Sequence, residues 1–125
     1  MGMNEFTTQN ITEIHNDIIE RYGGTKGILN QGTIDYLVYL LNTKRDVFKK
    51  AALVMEQIII GHPFMDGNKR TAFEVTDILL RGNGYHIHAA EEEILHALLK
   101  IAKYECTVEE IEKWLRKKVL SLELG

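Results

Sequence analysis

Apolar residues recur at the three-and-four spacing of an amphipathic helix over most of the chain. Ile11, Ile14, Ile18 and Ile19 share one face of a first segment, which Thr7 caps, with Phe6 and Ile11 forming a hydrophobic staple. Tyr22-Gly23-Gly24 ends it. Thr33, with Asp35 in the first turn, opens a second helix written TIDYLVYLLN. Thr43, with Asp46 three residues on, opens a third that runs through AALVMEQIII to Ile60 and stops at Gly61. A fourth begins near Gly67 and runs to Leu80, with Gly82 and Gly84 as stop signals. Glu91 to Tyr104 carries Ile94, Leu95, Leu98, Leu99 and Ile101 on one face, and Thr107 with Glu110 forms a capping box for a last helix through Leu120. Two pieces fall outside this pattern. TKGILNQG, residues 25–32, is punctuated by glycine and predicts a small hairpin or flap around Ile28 and Leu29, and YHIHA, residues 85–89, predicts a short extended piece. The expected fold is mainly α: a helical bundle with a short β-hairpin flap.

With 125 residues, 45% apolar and 26% charged, the chain has the makings of one ordinary domain with a real core, and no linker or repeat divides it. Met1-Gly2 before a second Met3 has the look of an expression scar and carries no functional argument. Cys106 is the only cysteine, which rules out an internal disulfide and suits a reducing cytoplasm. The most apolar window, Ala51 to Ile60, contains Glu56 and Gln57 and is too short to span a bilayer. Eighteen acidic against fifteen basic side chains give a net charge of −3, which opposes direct, salt-driven nucleic-acid binding.

The chemistry is concentrated in GHPFMDGNKRTAF, residues 61–73. Pro63 disfavours a helix interior and two glycines bracket the segment, so it predicts a loop entering a helix. The unpaired amides and partial positive charge of a helix N-terminus suit a phosphate. Gly67 and Asn68 fall there, followed by Lys69 as a point charge and Arg70 as a fork for paired oxygens. Cations at that end are disfavoured by about 0.3–1 kcal/mol each unless an anion is present. Asp66 is a hard oxygen ligand suited to Mg2+ carried on nucleotide phosphates, or else a cap for the helix that follows. His62, with an ordinary pKa of about 6.5, can accept a proton from an attacking hydroxyl, and Phe64 would anchor the loop in the core. This is a layout for phosphoryl or nucleotidyl transfer.

HPFMDGNKR closely resembles the Fic/Doc signature H-x-F-x-[D/E/N]-[A/G]-N-x-R, and the lysine before the arginine is the form typical of the Doc, or death-on-curing, toxin branch. The flanks extend the resemblance: a first helix with His15 and RYGG, a flap-like segment, and LLRGNGYHI after the motif helix. The resemblance implies a Fic/Doc helical core that transfers a group from ATP to a protein side-chain hydroxyl, in which His62 is the general base, Asp66 holds Mg2+, Phe64 anchors the loop, and Gly67, Asn68, Lys69 and Arg70 bind phosphates. Adenylyl-transferring members usually read H-P-F-x-x-G-N-G-R-x-x-R. Here Lys69 replaces the second glycine and Phe73 stands at the second arginine, which favours a kinase-like transfer of the terminal phosphoryl group; Pro63 and Gly67 keep adenylylation as the alternative. The resemblance further implies target docking along the flap, at Ile28, Leu29, Asn30 and Gln31. No stretch matches the inhibitory pattern [S/T]-x-x-x-E-[G/N] of many Fic proteins, so restraint would come from a separate antitoxin. The branch is associated with elongation factor Tu, which makes inhibition of translation the implied outcome. The competing class is a non-catalytic module that binds a nucleotide and acts through a partner.

Blander uses weigh against single residues. A lone His is more often structural or superficial, and a Gly-Asn pair is more often a plain turn; only the combination is specific. His15 and His96 read as helix-surface or core-edge residues. His86 and His88 share a face if extended, and a surface or edge strand is favoured there over a metal site. The basic run 116–118 complements the end of the last helix, and Cys106 reads as an inert small residue.

Overall fold

The computed structural model describes residues 6–43 and 45–122; the Met1-Gly2 reading lies outside them. Six helices and one two-stranded sheet follow in the order α1 (Thr8–Tyr22), α2 (Gln31–Leu41), α3 (Val47–Gly61), α4 (Asn68–Arg81), β1 (Tyr85–Ile87), α5 (Glu91–Ala102), α6 (Val108–Lys118) and β2 (Val119–Ser121). The mainly α expectation stands. Among the described residues no helix is long and apolar enough to cross a membrane.

α3 is the central element because its sequence leaves it little polar surface: Phe48, Ala51, Ala52, Val54, Met55, Ile58 and Ile59 are all buried. It packs against α2, α4, α5 and α6, while α1 lies against α4 and α2. Each fully buried Ile or Leu on these faces contributes about 1.5–3 kcal/mol, so the core fixes where the two ends of α3 and α4 meet.

Local chemistry sets the helix starts. Thr7 caps α1 as expected, in a reciprocal box with Asn10: Asn10 N donates to Thr7 Oγ1 at 3.1 Å and Thr7 N to Asn10 Oδ1 at 2.9 Å. Thr107 and Glu110 form the expected box on α6. Two starts differ from expectation. α2 is capped by Asn30, whose Oδ1 accepts from Thr33 N, so Thr33 lies inside the helix. α3 is capped by Asp46, which accepts from Phe48 N and Lys49 N; Thr43 instead closes the end of α2 by donating its hydroxyl to Leu40 O at 2.8 Å. In both cases a carboxylate or amide reached the free amides better than a threonine in the same neighbourhood.

The sheet also differs. The expected extended piece is β1, but its partner is β2, antiparallel, with Tyr85 opposite Ser121 and Ile87 opposite Val119. The last helix therefore stops at Lys118 rather than Leu120, because Val119 and its neighbours have a ladder to join. Residues 25–32 form no hairpin. Their one strand-like contact is an isolated antiparallel bridge between Ile28 and Phe64, and Asn30 and Gln31 belong to the start of α2.

Candidate functional site

α3 ends at a turn that exposes His62 and returns the chain to the core at Pro63 and Phe64. His62 is its C-cap, in the left-handed region at φ 50° and ψ 57°, and its amide still donates to Ile58 O at 3.2 Å. A non-glycine residue there carries roughly 1–2 kcal/mol of local strain. The exposed imidazole sits at the mouth of a cavity of about 750 Å3 that Asp66, Lys69, Arg70 and Phe73 also line. That volume is in the range of small-molecule sites.

Between His62 and α4 the loop has almost no backbone group left to itself. Pro63 O accepts from Leu29 N at 2.7 Å and from Asn30 N at 3.1 Å, and Met65 N donates to Gly27 O at 2.9 Å. Asn68, only 5% exposed, turns its side chain inward to Phe64: Oδ1 accepts from Phe64 N at 3.1 Å and Nδ2 donates to Phe64 O at 2.9 Å. Its amide is thus committed to the loop, whereas the sequence suggested an oxyanion donor. Phe64 is fully buried, as expected of an anchor.

Asp66 is gripped at three points. Its Oδ1 accepts from Gly67 N at 3.0 Å and its Oδ2 from Thr25 N at 3.2 Å, while its carbonyl oxygen accepts from His15 Nε2 at 2.7 Å. Asp66 does not cap α4. The residue in the cap position is Gly67, at φ 74°, and no side chain accepts from the first amides. The left-handed backbone favours glycine there, and a Cβ would lie 3.1 Å from Ile19 Cδ1, so that any larger residue would also push Ile19 aside. Gly24 makes similar room, since a Cβ there would come within 2.7 Å of Asp66 Oδ2.

α4 therefore starts with open amides, no acidic residue in its first turn, and the cations Lys69 and Arg70. This is the reverse of what the helix dipole favours unless an anion docks at that end. The Arg70 guanidinium lies over the ring of Tyr22, 3.8 Å from its centroid, so α1 steers the fork toward the cavity. Phe73 brings an apolar wall to the position one turn further on. Leu95, Leu98 and Leu99 of α5 form the facing wall.

The residues suit a magnesium ion that arrives with a nucleotide. Asp66 keeps lone pairs beyond its two backbone contacts, yet the described residues contain no cluster of three or more His, Cys, Asp or Glu able to hold a metal alone. Phosphate and water would have to supply the remaining ligands, as is usual for Mg2+. His86 and His88 meet edge to face at 6.1 Å, outside this site.

Sequence reasoning missed His15. It is 1% exposed rather than superficial, and its ring stacks flat on Phe64 with centroids 3.9 Å apart and planes 5° apart. The signal was present: His15 stands four after Ile11 and three before Ile18, on the buried stripe itself.

Residues 5–80, more than half of the chain, match the Fic/DOC family. The chain is also 27% identical over 96 residues to "Protein kinase doc" of Escherichia phage P1, an alignment covering 72% of this chain and 76% of that protein. The protein belongs to the Fic/DOC family, and its similarity lies with the Doc branch.

Proposed function

We propose that the protein is a Doc-type toxin that transfers the terminal phosphoryl group of ATP to a side-chain hydroxyl of a target protein. The observation that carries this reading is the combination at the start of α4: open amides with Lys69 and Arg70 beside them, and Phe73 where adenylylating members carry a second arginine. Similarity to a protein named a kinase supports the same choice.

In this reading the β- and γ-phosphates rest on the open amides of Asn68 and Lys69, with Gly67 leaving room for their close approach and the Lys69 ammonium and Arg70 guanidinium neutralising their charge. Asp66 would hold Mg2+, which supplies further charge neutralisation when bound. His62 takes the proton from the acceptor hydroxyl as its oxygen bonds to the γ-phosphorus. The bond from that phosphorus to the β,γ-bridging oxygen breaks, and ADP leaves. Positioning and charge stabilisation account for most of the catalysis in such a transfer.

Of the docking segment 28–31, Ile28 and Leu29 would receive the target, since Asn30 and Gln31 begin α2. In a wide antiparallel pair the hydrogen bonds run between flanking residues, here Leu29 to Pro63 and Met65 to Gly27, so the N–H and C=O of Ile28 face away from the loop. They form an open edge for an incoming strand, next to the exposed side chains of Ile28 and Leu29. Elongation factor Tu is the target to test first, with arrest of translation as the consequence. A cognate antitoxin segment would cover the apolar side of the cavity, where Leu95, Leu99 and Tyr104 are exposed.

The test is incubation of the protein and its His62→Ala variant with Mg-ATP and cytoplasmic extract, followed by mass spectrometry. A His62-dependent gain of one phosphoryl group on a protein is the expected result. Addition of an adenylyl group moves the protein to the alternative Fic-type activity, and nucleotide binding without any transfer makes it a binding module.

A further inference from the structure

We infer that His15 is a positioning residue for Asp66, and that it sets how well the site takes a magnesium-bearing nucleotide rather than the nucleotide alone. The inference rests on the nucleotide site proposed above. A carbonyl oxygen can only accept, so the 2.7 Å contact to Asp66 O requires the proton of His15 to be on Nε2. That fixes the ring's orientation. The stack on Phe64 fixes its plane, and near-complete burial removes alternative rotamers.

The geometry makes His15 the part of the grip on Asp66 that comes from a helix. The carboxylate is held by the amides of Gly67 and Thr25, but Gly67 is itself a left-handed glycine and Thr25 belongs to the irregular segment after α1. His15 ties the Asp66 backbone to the third turn of α1, and a Cβ on Gly67 would lie 3.8 Å from His15 Nε2. Lys69 and Arg70, by contrast, ride on α4 and do not need this contact. Losing the His15 hydrogen bond should therefore loosen the carboxylate while leaving the phosphate-binding cations in place. Groups that orient a metal ligand from behind commonly change metal affinity by roughly 10- to 100-fold when replaced.

The experiment measures ADP affinity by calorimetry with and without Mg2+, on the wild-type chain, His15→Phe and His15→Gln. Phenylalanine keeps an aromatic ring to stack on Phe64 and loses the donor; glutamine can set its amide nitrogen near the Nε2 position. The expected result is that His15→Phe melts cooperatively and keeps its magnesium-free affinity, but loses roughly tenfold or more of the gain that Mg2+ brings, while His15→Gln recovers most of it. A His15→Phe chain with the full magnesium gain overturns the inference. So does an equal loss with and without Mg2+, or loss of cooperative melting, either of which makes His15 a residue of the fold alone. A wild-type chain whose ADP affinity ignores Mg2+ defeats the nucleotide-site reading itself, and the inference with it.

Discussion

Asn68 holds Phe64 by both of its backbone groups, accepting from the amide at 3.1 Å and donating to the carbonyl at 2.9 Å, so the first residue of α4 closes the loop in front of it. Both contacts are buried, and each backbone group left unpaired in such a place costs about 1–3 kcal/mol. Asn68→Ala is expected to lower unfolding free energy by about 2–4 kcal/mol, read by urea denaturation. Asn68→Asp should do no better, since its second oxygen would face the Phe64 carbonyl. A loss below about 0.5 kcal/mol, the level of an ordinary surface change, would mean that the clamp is idle.

His62 places a reactive ring at the price of a left-handed backbone. His62→Gly relieves that strain and is expected to raise unfolding free energy by up to about 1 kcal/mol, while transfer falls by about 10²–10⁴-fold. Stability and activity moving in opposite directions is the outcome to look for, by thermal melting beside a phosphoryl-transfer assay. If both fall together, His62 matters to the loop's shape more than to proton transfer.

Gly24 leaves space for Asp66 Oδ2, which a Cβ would approach to 2.7 Å, and its own φ of 119° is hostile to a side chain. Gly24→Ala should displace the Asp66 carboxylate and weaken Mg-ADP binding more than magnesium-free ADP binding. Equal affinities for wild type and variant under both conditions would show that the carboxylate has room to shift.

Tyr22 supports Arg70 from beneath. Tyr22→Leu removes a cation–π contact worth about 0.5–1 kcal/mol, so nucleotide affinity is expected to fall roughly two- to fivefold. In the Arg70→Ala background the same change should have little effect, because the group it steers is gone. Additive losses in a double-mutant cycle would separate the two residues.

Acid sensitivity should come from the caps. The Asp46 carboxyl is held below its ordinary value, chiefly by the amide of Lys49, with the Arg116 guanidinium and the amide of Phe48 adding to it and burial opposing. A carboxyl lowered in the folded state stabilises it above the ordinary value, about 3.9, and that contribution fades as pH drops through the lowered one. Asp46→Asn can still cap α3 but has no charge to lose. Its unfolding free energy is expected to change less between pH 5 and pH 2 than that of the wild type, by denaturation at each pH.

Much of the site could be read from the chain because its residues are adjacent in it. The proline, the two glycines and the apolar run before them already imply a loop between two helices, and the structure adds only where each side chain turns. What could not be read came from distant parts of the chain. His15 reaches Asp66 across 51 positions, and Ile28 pairs with Phe64 across 36; neither meeting is visible until α1 is packed on α4. The starts of α2 and α3 failed for a local reason. Asn30 and Thr33, like Thr43 and Asp46, are alternative starting points for one helix, each able to accept from amides two or three residues on, and composition alone does not rank cap candidates three residues apart. The end of α6 depended on a partner strand more than thirty residues away.

α1 packs chiefly on α4 and α2, yet it owns His15, Tyr22 and the approach to Thr25. Several supports of the site thus hang from a single helix. Disturbing that one helix would let Asp66 drift and take the support from under Arg70 together, and because Ile11 of the same helix lies in the core, the fold would register the loss as well.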